Sequence, residues 1–148
     1  MKREHAATTF TGLGAKIDAG RWNSRGVEVV YLSPSLSLAA LEILVHLQET
    51  QALSAFVTFE VGVPTELIQQ LDPAVLPNDW RAFPAPQSTR AIGDGWAAAR
   101  VSAVLAVPSV ITPGETNYLL NPAHPDAASV THGAAQGLNL DPRVLLGQ

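Results

Sequence analysis

The apolar positions of this chain fall into several short β-branched runs and one long, almost continuous helical stretch. Val27-Glu28-Val29-Val30-Tyr31-Leu32 is β-branched and aromatic, which predicts a strand. Ser33-Pro34 then predicts a helix start, with Ser33 as N-cap and Pro34 at the first helical position. The helix is expected to run from Pro34 to about Glu49. Projected at ~100° per residue, Leu36, Leu38, Leu41, Ile43, Leu44, Val45 and Leu47 cover most of its circumference. Glu42, His46 and Glu49 fall together in one narrow polar stripe. A helix that is apolar nearly all round is a buried one. Its polar stripe must therefore face either solvent or a polar cleft.

The rest of the pattern is less regular. Arg3–Thr9 predicts a short helix within an N-terminal segment that is otherwise small and polar, with Gly12, Gly14 and Gly20 as punctuation. Ala55–Val63 reads as a second strand, followed by Pro64-Thr65 and a short helix over Glu66–Leu71. Asp72–Gln87 is rich in proline, carries Trp80 and Phe83, and reads as a long irregular connection of the kind that often serves function. Ser88 is the expected N-cap of a helix from Thr89 to about Val101, despite Gly93 and Gly95. Ala103–Val107 and Ser109–Ile111 are strand-like and interrupted by Pro108, Pro113-Gly114 marks a turn, and Tyr118-Leu119-Leu120 is a strand closed by Asn121-Pro122. Strands and helices mix without regular βαβ alternation, so the expected class is α+β with a partly antiparallel sheet and flanking helices.

Composition narrows the function classes. A length of 148 residues suits one domain spanning residues 1–148. The net charge of −4, with nine scattered Lys and Arg, argues against direct nucleic-acid binding, which wants a basic stripe. With no cysteine, disulfides, thiolate zinc sites and a cysteine nucleophile are excluded. That composition suits a cytoplasmic protein. No apolar run reaches membrane-span length, and no signal-peptide core follows Met1-Lys2-Arg3-Glu4-His5.

No phosphate-binding glycine loop of the dinucleotide or P-loop type is present, and Gly93-Asp94-Gly95 is too short to count. His5, His46, His124 and His132 lack metal-ligand spacing, so no metal site is expected. Ser109, His124 and Asp126 could form a triad on paper, but no nucleophile-elbow pattern supports one. Arg21 is either a surface arginine stacked on Trp22 or a planar fork for a phosphate. Tyr31 either fills the core or stacks on a flat cationic ring. Glu42 is either solvated or placed under a sugar carbon where positive charge develops. Taken together, these residues describe a pocket for a phosphate-bearing nucleotide with a cationic ring.

Several longer segments resemble the RES-domain family. They are Gly20-Arg21-Trp22-Asn23-Ser24-Arg25-Gly26, Val29-Val30-Tyr31, Leu41-Glu42-Ile43-Leu44-Val45-His46-Leu47, Asp79-Trp80-Arg81 and Gly93-Asp94-Gly95-Trp96. Val107-Pro108-Ser109, Asn117-Tyr118-Leu119-Leu120-Asn121-Pro122-Ala123-His124-Pro125 and the closing Asp141-Pro142-Arg143 complete the match along nearly the whole chain. The arginine, glutamate and serine that name the family map onto Arg21, Glu42 and Ser109.

The resemblance implies an ADP-ribosyltransferase-like fold. It also implies a toxin that depletes NAD⁺ by cleaving the nicotinamide N-glycosidic bond, by phosphorolysis or hydrolysis. It assigns Glu42 and Arg21 to catalysis, and Arg21, Tyr31, Ser109, Asn117 and Asn121 to NAD⁺. NAD⁺ enters as substrate, phosphate as its co-substrate, and no cofactor is implied. The implied partner is a helix-turn-helix antitoxin of the Xre type. Exposed apolar helix surface would favour a homodimer. The family carries a short apolar strand ahead of the region matching Arg3-Glu4-His5. This chain starts almost inside that region, so a shortened sheet edge is expected. Two alternatives remain: ADP-ribosyl transfer to a protein target, and an inactive module that only binds nucleotide or antitoxin.

Overall fold

The computed structural model describes residues 1–46, 55–141 and 144. In chain order its elements are α1 (Leu13–Ile17), β1 (Val30–Leu32), α2 (Leu36–Leu44), β2 (Val57–Thr58), β3 (Val61–Gly62), β4 (Ile68–Gln70), α3 (Gln87–Ala99), β5 (Val104–Pro108), β6 (Thr116–Leu120), β7 (Thr131–His132) and β8 (Gln136–Gly137). Short 3₁₀ turns fill several connections, the first over Arg3–Thr11, where a helix is expected. The class is α+β. No helix among the described residues is long and apolar enough to cross a membrane.

The main sheet has the order β1-β6-β5-β4. β6 pairs antiparallel with both neighbours, setting Tyr31 opposite Leu119 and Ala106 opposite Tyr118. β4 pairs parallel to β5, with Ile68 opposite Val104. A parallel pair needs a long crossover, and here α3 with the proline-rich loop before it supplies one. β5 is apolar at every position because it is covered on both faces. Leu105 and Val107 pack with Trp22, Val29, Trp96 and Leu119 on one face. Val104 packs with Val30, Ala103 and Leu120 on the other. Leu44, Phe56 and Leu138 form a separate cluster that seats the end of α2.

α3 approaches the core so closely that a Cβ at Gly93 would collide with the Trp22 carbonyl oxygen. Gly95, two residues on, has no neighbour within 4 Å of the same position.

The structure corrects several expectations. α2 is capped by Ser35, whose hydroxyl accepts from the Leu38 amide, and not by Ser33. It is not buried all round: Leu38, Ala40 and Leu44 face the core while Leu36, Leu41 and Val45 are exposed. Its expected continuation to Glu49 lies outside the described residues. The expected strand over Ala55–Val63 is two strands, because β2 and β3 pair with different partners, β8 and β7. The expected helix over Glu66–Leu71 is a single 3₁₀ turn followed by the edge strand β4. α3 begins at Gln87 without a side-chain cap. Ser88 instead donates to Asp79 Oδ1 at 2.8 Å.

Pro108 ends β5 and does not interrupt it. Ser109–Ile111 are the mouth of a hairpin, not a strand. The Ser109 amide donates to the Glu115 carbonyl at 2.9 Å, and the Glu115 amide donates to the Thr112 carbonyl at 3.1 Å. That turn requires Gly114, whose φ is +91°.

Candidate functional site

Glu42 projects from α2 towards the β5–β6 hairpin. Its Oε1 accepts from Asn117 Nδ2 at 2.6 Å and from the Ser109 hydroxyl at 3.3 Å. Each donor is itself held. Ser33 donates to Asn117 Oδ1 at 2.8 Å, and the Thr112 amide donates to the Ser109 hydroxyl at 3.1 Å. Glu42 thus faces a cleft, and one of its carboxylate oxygens is fixed from the β5–β6 hairpin. Oε2 has no hydrogen-bond partner among the described residues.

That cleft is a cavity of about 600 Å³. Glu42 and Ile43 from α2, His46 just beyond its end, and Asn117 line it together with Gly20, Arg21, Trp22 and Tyr31. Phe83, Pro84, Ala85 and Arg90 complete the rim. The volume falls within the ~300–1,000 Å³ usual for small-molecule sites.

Tyr31 stands in the cavity wall with its residue 42% exposed, yet its hydroxyl is enclosed. The hydroxyl accepts from the Trp22 amide at 3.0 Å and donates to Asn23 Oδ1 at 2.9 Å. Asn23, wholly buried, also accepts from the Gly20 amide at 3.0 Å and donates to the Ala15 carbonyl at 2.7 Å. This knot fixes the turn that carries Arg21. It leaves no room for a side chain at Gly20, where a Cβ would strike the Tyr31 hydroxyl.

Burial pushes the Tyr31 phenol up to about 12, although the Trp22 amide hydrogen bond and the Arg21 cation favour its ionised form. A folded value above the unfolded one, near 10, gives stability that is complete below about pH 10 and lost as pH rises towards 12. Unfolding midpoints of wild type and Tyr31→Phe should therefore converge between pH 10 and 12. A constant gap across that range would show that the phenol ionises as freely in the fold as outside it.

Arg21 does not stack on Trp22, which is buried in the core. Its Nη1 donates to the Trp80 carbonyl and, at 3.1 Å, to that of Ala82; its Nη2 donates to Ala82 at 3.2 Å. It ties the proline-rich loop across the mouth of the cavity, while Trp80 packs under Arg81 at 4.4 Å. Burial lowers the Arg21 pKa, and the Glu42 carboxylate works against that shift.

The structure brings Arg21, Tyr31, Glu42 and Asn117 into the lining of one cavity and sets Ser109 behind Glu42, 2% exposed. Asn121 does not join them. It is 1% exposed, donates to the Ala97 carbonyl at 2.9 Å and accepts from the Ala123 amide at 3.0 Å, which ties α3 to the end of β6. The paper triad does not assemble: Ser109 serves Glu42, while His124 Nδ1 accepts from the Asp126 amide at 3.1 Å.

Ser33, Asn23, His46, Phe83 and Arg90 belong to the site without having been singled out for it. Thr89, Gly93 and Trp96 repeat at helical spacing and are the buried stripe of α3. That spacing sets Arg90 beside the stripe, a signal present in the sequence.

The RES domain profile matches residues 1–141. A protein of Yersinia enterocolitica named Toxin Res is 44% identical over 124 residues, which is 84% of this chain and 82% of that protein. A Sphingobium protein named Prs ADP-ribosylating toxin is 40% identical over 146 residues, 97% of this chain and 91% of that one. Among solved structures, the M. tuberculosis MbcT-MbcA toxin-antitoxin complex contains a chain that superposes with a TM-score of 0.64. The match covers 92% of this chain and 79% of that one at 17% identity, a likeness of fold.

Proposed function

The chain belongs to the RES domain family, and from that premise we propose that it is a toxin that cleaves the nicotinamide N-glycosidic bond of NAD⁺. The observation that supports this best is Glu42: a carboxylate with one oxygen pinned by Asn117 and Ser109 and the other open to a nucleotide-sized cavity.

The C1′–N bond breaks with its electron pair passing to the pyridinium nitrogen, so nicotinamide leaves neutral and no general acid is needed. Positive charge develops on the ribose, as in glycoside chemistry. Glu42 Oε2 stabilises that charge or holds a ribose hydroxyl. The Tyr31 ring offers a face to the cationic nicotinamide. Arg21 places a cation on the side of the pyrophosphate. Phosphate or water then bonds C1′ through oxygen, and a water acceptor releases one proton. Ser109 acts through Glu42 in this geometry, and Asn121 holds the scaffold. An antitoxin partner, of the helix-turn-helix type, and a cytoplasmic site of action complete the proposal. The solved relative in a toxin-antitoxin complex supports the partner.

The test is nicotinamide release from NAD⁺ with and without inorganic phosphate. Release that accelerates with phosphate identifies phosphorolysis; release at the same rate without it identifies hydrolysis. NAD⁺ that persists at stoichiometric protein would end the proposal. A second reading, ADP-ribosyl transfer to a protein, draws on the name of the Sphingobium relative. Adenine-labelled NAD⁺ separates the two, because the label would then move onto protein.

A further inference from the structure

Among the described residues two guanidinium groups line the cavity, those of Arg21 and Arg90, and they are committed differently. Arg21 already donates three hydrogen bonds to the Trp80 and Ala82 carbonyls, so its terminal nitrogens are largely occupied. Arg90, in the first turn of α3, donates only through Nε, to the Gly20 carbonyl at 3.2 Å. Neither of its terminal nitrogens has a hydrogen-bond or ion-pair partner among the described residues.

The nearby acid does not neutralise it. Asp94, one turn further along α3, accepts from the Ser24 amide at 2.8 Å and forms no ion pair with Arg90. Arg90 is half-buried, and its Nε bond fixes the plane of the guanidinium against the turn that carries Arg21. A fixed planar fork with both prongs open suits two oxygens of one phosphate. A partly desolvated cation without a counter-ion gains most when an anion arrives, since the surrounding dielectric is low.

We infer that Arg90 is the anion anchor of this cavity and binds a phosphate group of a nucleoside diphosphate through both terminal nitrogens, whereas Arg21 chiefly holds the rim loop that shapes the site. The inference rests on the dinucleotide reading and deepens it. It divides between two residues the tasks that a single arginine would otherwise carry.

The experiment measures binding of ADP, adenosine and inorganic phosphate by calorimetry to wild type, Arg90→Gln and Arg90→Lys, with unfolding midpoints recorded for each. Arg90→Gln should weaken ADP by tenfold or more and leave adenosine unchanged. Arg90→Lys should fall between, because it restores the charge but not the fork. Raised salt should weaken ADP binding to wild type more than to Arg90→Gln. Parallel phosphate titrations show whether the free ion uses the same anchor. Equal ADP affinity in wild type and Arg90→Gln, or no ADP binding to wild type, would overturn the inference. If ADP binding depends on Arg90 but no nicotinamide is released from NAD⁺, the anchor stands and the chemistry proposed above fails.

Discussion

Glu42→Gln should lower nicotinamide release about 100- to 1,000-fold with little change in the unfolding midpoint. A single preorganised electrostatic contact in an active site is typically worth about 3 kcal/mol, which corresponds to slightly more than a hundredfold in rate. The glutamine keeps an oxygen to accept from Asn117 and Ser109, so the surrounding hydrogen bonds have a partner. Only the charge is removed. Glu42→Ala should lose the same activity and some stability besides, because it leaves the Asn117 and Ser109 donors unpaired, at about 1–3 kcal/mol for each buried group. The comparison carries the argument: a Glu42→Gln protein that turns over at the wild-type rate would show that negative charge at this position plays no part in bond cleavage.

Gly93→Ala and Gly95→Ala should move stability in opposite directions, although both place the same methyl group on the same helix. At Gly93 the new Cβ would collide with the Trp22 carbonyl oxygen, which is backbone and cannot rotate away. Overpacking of this kind costs about 1–3 kcal/mol and sometimes more, or about 3–10 °C in the midpoint for a chain of this size. α3 would be pushed off the core, and Arg90 with it. At Gly95 the methyl meets nothing within 4 Å, and alanine is the better helix former by up to about 1 kcal/mol. Thermal unfolding of the two variants settles the point. A Gly93→Ala midpoint equal to that of wild type would mean that α3 does not press on residue 22 as described.

The elements that could be read from the sequence are those whose side chains carry their own signal. β1, β5 and β6 are β-branched or leucine-rich, and β5 and β6 are the two inner strands of the main sheet. β4 was hidden because Ile68-Gln69-Gln70 is an edge strand with an exposed polar pair, held by its backbone pairing with β5. The break between β2 and β3 depends on which distant strand each one meets, and no local pattern encodes that.

The site divides along similar lines. The helical projection put Glu42 on a polar stripe, and the resemblance chose the cleft over solvent for it. Arg21 and Tyr31 were candidates by their chemistry, though singly each has an ordinary structural reading, and Ser109 and Asn117 came from the resemblance as site residues. The resemblance could not supply the division of labour among them. Ser109 is buried behind the carboxylate, Asn121 serves the scaffold, and the carbonyls of Trp80 and Ala82 occupy Arg21. These are facts of three-dimensional contact between residues up to 67 positions apart.

The order of strands in the main sheet also sets a timetable. β1 has a single neighbour in that sheet, β6, and the groups that grip Glu42 sit on the same late hairpin. During synthesis, at roughly 5–20 residues per second, Glu42 emerges long before the Ser109 and Asn117 that hold it, and β1 long before the strand it pairs with. A nascent chain therefore cannot close this cavity until the β5–β6 hairpin, which ends at Leu120, has been made and has left the ribosome.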